Sequence, residues 1–252
     1  MAFPTGWSRK QAIVIDSDQV SGSGSHTDFP FPITLDHLDT EIVDGGSNSA
    51  LTNGDDIRFT SDSAGTTELP FEIDDFVAEA TEGNRRCLIW VLVPSLSTSS
   101  DTTIYIWYKN ASASPYAVTD PYGRNAVWAQ YEAVLPLNES AAPYIDRTGN
   151  GYDATVASGT PTSVTTDHPF PNQNWVNFDG DASSDILVMT GSKSMLDGSA
   201  SMFLSGWCYL DVNAPFRAII GNWNSAGDNN WFHLFTRPQV LAKAGGSVDE
   251  AT

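Results

Sequence analysis

Two apolar runs joined by a short polar turn constrain this chain more than any other feature. Residues 86–93 (RCLIWVLV) are apolar on both faces, the pattern of a strand in the middle of a sheet. Residues 102–108 (TTIYIWY) follow a Ser/Thr-rich turn and alternate β-branched with aromatic side chains. Residues 9–15, 29–35, 57–60 and 69–73 read as further short strands. Pro30 and Pro32 confine the second of these to a sheet edge or strand end. Residues 44–56 are loop-like, and 74–80 form the only candidate helical turn in this half. The first half therefore reads as all-β.

The second half continues in the same idiom. Residues 153–157, 175–178, 186–189, 201–210, 217–221 and 231–235 are strand candidates, punctuated by Gly, Asn, Asp and Pro. The tail 242–252 (AKAGGSVDEAT) is polar and is expected to hold no strand. Between the halves lies 126–153 (AVWAQYEAVLPLNESAAPYIDRTGNGYD). It opens with a strand-like segment, 127–137, carrying Trp128 and Tyr131, and Trp128 is expected to be buried near the junction. It closes on Asp146-Arg147-Thr148-Gly149-Asn150-Gly151-Tyr152-Asp153. There the two glycines suit φ > 0, and the Asp and Thr side chains can hold nearby backbone N–H groups.

With 40% hydrophobic residues, 11% aromatics and eight Trp, the chain has ample material for packed cores. Its 252 residues suit one large or two ordinary domains. Twelve Lys+Arg against 31 Asp+Glu give a net charge of −19. That disfavours nucleic acid and anionic membrane surfaces as partners and favours cation-rich surroundings or uncharged partners such as neutral glycans. Cys87 and Cys208 each lie in an apolar strand-like run, where free Cys behaves as a small hydrophobe. A disulfide between them would need Cα atoms within about 7 Å, which the sequence leaves open. Residues 1–18 lack the apolar core of a signal peptide, and no apolar stretch reaches membrane-spanning length. The expectation is a protein that stays in its cell of synthesis or leaves without a signal, for instance by lysis inside an assembled particle.

The pieces SGSGSHTDFPFP (21–32), NGDDIRF (53–59), LPFEI (69–73), WVLVP (90–94) and IYIWYKN (104–110) resemble, in order, the domain-of-unknown-function family DUF2341. The resemblance covers roughly residues 7–120. Trp107, Tyr108 and Lys109 depart from that family's usual second Tyr and Gly before the Asn. Family members are commonly followed by a laminin-G-like domain of the concanavalin A-like fold. Residues 128–153, Asn177-Phe178-Asp179-Gly180 and 201–211 resemble parts of one. Pro136-Leu137 replaces the His-Leu that often follows its first strand, so any role of that His is absent. The resemblance implies two jelly-roll-like β-sandwiches in tandem, residues 1–120 and 127–252 with a linker at 121–126. It implies no enzymatic chemistry. The second sandwich is short for its type, so a neighbouring chain or further sequence is expected to complete it.

Candidate sites are few. Asp55, Asp56, Glu68, Glu72, Asp74 and Asp75 offer carboxylates that a glycosidase would need in pairs, but acidic turn residues are ordinary in so acidic a chain. His26, His37, His168 and His233 accompany no Gly-x-Ser-x-Gly motif. Asp146, Asn150 and Asp153 have the oxygen ligands of a Ca²⁺ site, or equally of a self-capped loop. Trp223, Asn224, Asp228, Asn230 and Trp231 set two indoles among amides and a carboxylate, suited to a sugar ring or to a hairpin with its rings folded inward. Asn110 and Asn138 begin glycosylation sequons that, without a leader, read as chance.

The expectation is an all-β, two-sandwich, non-enzymatic structural or binding protein needing no cofactor beyond Ca²⁺ at the candidate loop. The setting that fits is a virion surface, as a bacteriophage head or tail decoration or fibre that touches host glycans. Its partners would be copies of itself or other virion proteins. The alternative is a piece of a secreted bacterial adhesin, or the accessory carbohydrate-binding part of a larger enzyme, at the cell surface or outside the cell.

Overall fold

The structure, a computed structural model, describes residues 3–165, 174–178, 185–189, 203 and 205–206, and the backbone of 218–222, 231–235, 240–244 and 247–251. The chain divides into two compact units. One holds Met1–Thr166 with Asn172–Asp197, and the other holds Asp167–Pro171 with Gly198–Thr252. The fold is all-β, its sheets antiparallel.

In the first unit the strands are β1 (Arg9–Ile15), β2 (Ser25–Thr34), β3 (Arg58–Thr60), β4 (Glu68–Leu69), β5 (Phe71–Val77), β6 (Arg86–Ser97) and β7 (Thr102–Tyr108). They make two facing sheets, ordered β1-β7-β3-β4 and β2-β6-β5. The alternation read from the sequence becomes the inward face: Ile13, Ile15, Phe59, Ile104 and Ile106 from one sheet meet Ile33, Phe71, Ile89, Val91 and Val93 from the other in one core. A short helix, α1 (Thr40–Val43), buries Ile42 and Val43 in the same core.

β6 is apolar on both faces because the β2-β6-β5 sheet is covered twice. Its even-numbered residues Leu88, Trp90 and Leu92 stand opposite Thr34, Pro32 and Pro30 of β2, away from the main core. Residues after α2 (Arg124–Val127) pack over this outer face. Val127 and Trp128 are buried, and the Trp90 and Trp128 rings meet edge-on at 5.3 Å. Trp128 is thus buried as expected of its bulk.

Three local expectations are corrected. Residues 74–80 do not turn as a helix; 74–77 extend β5, and a register shift between Ile73 and Asp75 absorbs the adjacent charges. The strand expected over 127–137 is instead the end of α2 followed by irregular chain, because its apolar residues seek the sheet's outer face rather than a partner strand. The tail, expected to be strandless, forms β14 (Val240–Ala244) and β15 (Ser247–Ala251), paired in register from Ala244↔Ser247. The two residues between those strands are Gly245-Gly246, a hairpin signal that the polar composition obscured.

Farther along the first unit, β8 (Ala154–Ser158) pairs with β11 (Ile186–Met189), and β9 (Thr162–Val164) with β10 (Trp175–Asn177). In the second unit β12 (Ala218–Asn222) and β13 (Trp231–Phe235) join β14 and β15 in the antiparallel order β12-β13-β14-β15. No helix among the described residues is long and apolar enough to cross a membrane.

Candidate functional site

Several of the carboxylates singled out in the sequence meet arginines, from neighbouring strands in the case of Arg58 and Arg86 and from the remote loop after α2 in the case of Arg147. Glu72, on the outward face of β5, accepts the Trp128 indole N–H at 2.6 Å and lies 3.5 Å from Arg147 Nε. Burial raises its carboxyl above the usual range, more than Trp128 and Arg147 lower it. The same Arg147 reaches Asp74 at 3.9 Å and Glu139 at 3.4 Å, and donates to Asn138 Oδ1 at 2.9 Å. Asn138 in turn donates to Asp74 at 2.8 Å. Asp75 pairs with Arg86 Nε at 2.8 Å across the β5–β6 ladder.

Arg58 is the second centre. Its side chain is 4% exposed, and its guanidinium donates to the carbonyls of Asp55, Ile57 and Ser114. It lies 4.0 Å from the Tyr116 ring centroid and 5.2 Å from that of Trp7, a stacked cation. Glu68 stands 3.8 Å from Arg58 Nε and accepts from the Tyr116 hydroxyl at 2.5 Å. Burial raises the Glu68 carboxyl, and burial together with Glu68 pushes the Tyr116 phenol up to about 12. A cleft of about 230 Å³ opens beside both centres, lined by Arg58, Glu72, Tyr116, Arg124 and Arg147 among others. Asp56, fully buried, accepts from the backbone N–H of Leu51 and Asn110 and so joins two loops.

The candidate cation loop fastens itself. Asp146 accepts from the N–H groups of Val134, Thr148 and Tyr152 and from the Thr148 hydroxyl. Burial raises its carboxyl, but these bonds outweigh burial and hold it below the usual range. Asp153 accepts the Asp146 N–H at 2.9 Å, and the Asn150 amide donates to the Glu132 carbonyl at 3.0 Å. Gly149 and Gly151 both have φ of +84°, and a Cβ on Gly149 would collide with the Asn125 side chain. Among the described residues, no group of three or more His, Cys, Asp and Glu could hold a metal ion.

Elsewhere, His37 Nδ1 accepts the Thr34 N–H and His26 Nε2 contacts the Ser21 carbonyl. Cys87 is a free thiol, pushed up to about 12 by burial, with Sγ 3.5 Å from the Ile33 carbonyl. Cys208, His168, Trp223, Asn224, Asp228 and Asn230 lie outside the described residues. Trp231 is described as backbone only, at the start of β13 opposite Lys243. The arginine partners Arg58, Arg86 and Arg147 lie in stretches read as strand or loop, and nothing in their spacing marks them as partners of these carboxylates.

No curated protein and no solved structure matches this chain. Residues 53–121, which run from the loop before β3 through β7 to the turn before α2, match the family model described as Domain of unknown function (DUF2341).

Proposed function

We propose that this chain is a non-enzymatic structural and binding module displayed on a virus particle, as a bacteriophage head or tail decoration or fibre in contact with neutral host glycans. The observation that carries the non-enzymatic reading is the fate of the carboxylates. Glu68, Glu72, Asp74 and Asp75 are tied to Arg58, Arg147 and Arg86, and Asp56 to backbone N–H groups. A glycosidase instead holds two carboxyl groups free to face one bond. The net charge of −19 supports uncharged partners, and a doubly covered sandwich supports a rigid displayed part. The antiparallel β12-β13-β14-β15 sheet supports a laminin-G-like second half, and copies of the chain or other particle proteins are the natural neighbours.

Mass spectrometry and immunogold labelling of particles purified from the source test this. The chain should be present in fixed stoichiometry and on the outside. Its absence from particles, with the sequence recovered inside a longer secreted polypeptide, would instead make it an accessory part of an adhesin or carbohydrate-active enzyme.

A further inference from the structure

The β2 edge carries a hollow that neither the ion network nor the core uses. It has a volume of about 470 Å³, within the roughly 300–1,000 Å³ of small-ligand sites. β2 supplies His26, Thr27, Asp28 and Phe29 on one side, and the turn after α2 supplies Gln130 and Tyr131 on the other. Phe29 and Tyr131 are 39% and 43% exposed, large rings left open to water. Tyr131 is nonetheless held in place. Its N–H donates to the Trp128 carbonyl at 2.9 Å, and its ring meets Trp128 edge-on at 5.6 Å, with Trp90 behind. His26 is pinned at 2.9 Å to the Ser21 carbonyl and lies 6.1 Å from the Phe29 ring.

Asp28 adds an independent observation. Within a strand otherwise in register it takes φ of +48°, between the pairs Thr27↔Ser95 and Phe29↔Val93. A non-glycine residue there is strained, and strain of this kind clusters at binding sites. The position tolerates it because Pro94 opposite has no N–H to give the ladder. The side chain that results is exposed and lines the hollow.

We propose that this hollow binds the ring of a neutral sugar, with Tyr131 as the stacking face and Asp28 and Gln130 bonding the hydroxyl rim. A fixed aromatic ring offers its face to the apolar C–H side of a pyranose, and a carboxylate and an amide match the alternating donors and acceptors of its edge. The lining contains one carboxylate and no Lys or Arg, which excludes phosphate, sulfate and uronate groups and selects uncharged rings. The proposal rests on the glycan-contacting part of the proposed function and names the site of that contact.

The test is calorimetric titration of the full chain with cellohexaose, maltohexaose and mannohexaose, and with a hexauronate as the charged control. At least one neutral hexasaccharide should bind, and the hexauronate should not. Tyr131→Ala should weaken that binding about tenfold, the ~1.4 kcal/mol of one stacked ring. Asp28→Gly, which suits φ of +48°, should weaken it as well, with circular dichroism showing both variants folded. Equal binding by wild type and both variants would overturn the hollow as the site while leaving glycan contact elsewhere on the chain. Preference for the hexauronate, or no binding to any of the four, would overturn the proposal. The particle assay reads the display function separately, since a chain found in particles without sugar binding keeps its displayed role and loses the glycan contact along with the hollow.

Discussion

The indole N–H of Trp128 donates to Glu72 Oε2 across 56 positions of sequence, and both residues are buried. This bond fastens the segment after α2 to the outer face of the β2-β6-β5 sheet, so that β6 has apolar cover on both sides. Trp128→Ala removes the ring and leaves a buried carboxylate short of a donor, and is expected to cost about 3–5 kcal/mol. Trp128→Phe keeps most of the ring and loses the N–H, for about 1–3 kcal/mol. Urea denaturation of the full chain measures both. A Trp128→Phe variant as stable as wild type would mean that the hydrogen bond contributes nothing net.

Glu72 and Asp146 should give opposite pH signatures. The folded Glu72 carboxyl titrates above its unfolded value of 4.5, so folding takes up a proton. Its favourable contribution is complete below 4.5 and is lost as pH rises through the higher folded value. Asp146 is lowered from 3.8, so its contribution is present above 3.8 and lost as pH falls through the lower folded value. Wild type should therefore gain on Glu72→Gln as pH drops from 7 toward 4.5, and lose its advantage over Asp146→Asn below 3.8. Parallel pH–stability curves for wild type and the variants would refute both assignments.

The strands most legible in the sequence were those whose side-chain period matched their surroundings. β1, β7, β11 and β13 fall where alternation or apolar runs placed them. β5 reads shorter in the sequence than in the fold because Asp74 and Asp75 look like turn residues until Arg147 and Arg86 are in place, and those partners are remote or lie on another strand. The segment 127–137 looked like a strand because a run that covers a sheet face needs the same apolar residues as one that joins a sheet. The site was legible only as a stock of acids and rings. Tyr131 reads in the sequence as an aromatic of the junction, but its place beside β2 depends on α2 and Trp128 turning the chain back.

Pro30 and Pro32 do for β2 what its position demands. The ladder to β6 runs past both prolines, so their missing N–H groups fall on the free side of the strand. An incoming strand finds no donor at either position, which blunts the edge against pairing. Pro32 is the less buried of the two, and Pro32→Thr restores a donor. The variant is expected to remain folded and to self-associate with rising concentration in analytical ultracentrifugation. A Pro32→Thr chain that sediments as wild type does would show that the edge is guarded by something else.

A chelator distinguishes the two readings of the Asp146 loop. With four donors already on Asp146, and with Asp153 and Asn150 each making a loop bond, excess EDTA should leave the melting temperature unchanged. A fall on chelation that added Ca²⁺ reverses would instead make these residues ligands, since a cation bound only to the folded state stabilises it by mass action.

Arg58 and Glu68 give the sharpest test of how this acidic chain tolerates buried charge. Their side chains are 4% and 9% exposed and 3.8 Å apart, and Arg58 also holds three carbonyls and two aromatic faces. Removing one ion from such a pair leaves the other without its countercharge in a medium that solvates it poorly. Arg58→Ala should therefore cost about 3–5 kcal/mol. Arg58→Lys keeps the charge but loses the planar fork that reaches several carbonyls at once and stacks on Tyr116, so it should rescue only part of that loss. Glu68→Gln removes the carboxylate but keeps an acceptor for the Tyr116 hydroxyl, and should be milder than Arg58→Ala. In the double variant the charge left behind by the first change is also gone. Its destabilisation should therefore fall short of the sum of the single changes by about 0.5–3 kcal/mol. Strict additivity in the double-mutant cycle would mean that Arg58 is held by its carbonyls and rings alone, with Glu68 a bystander.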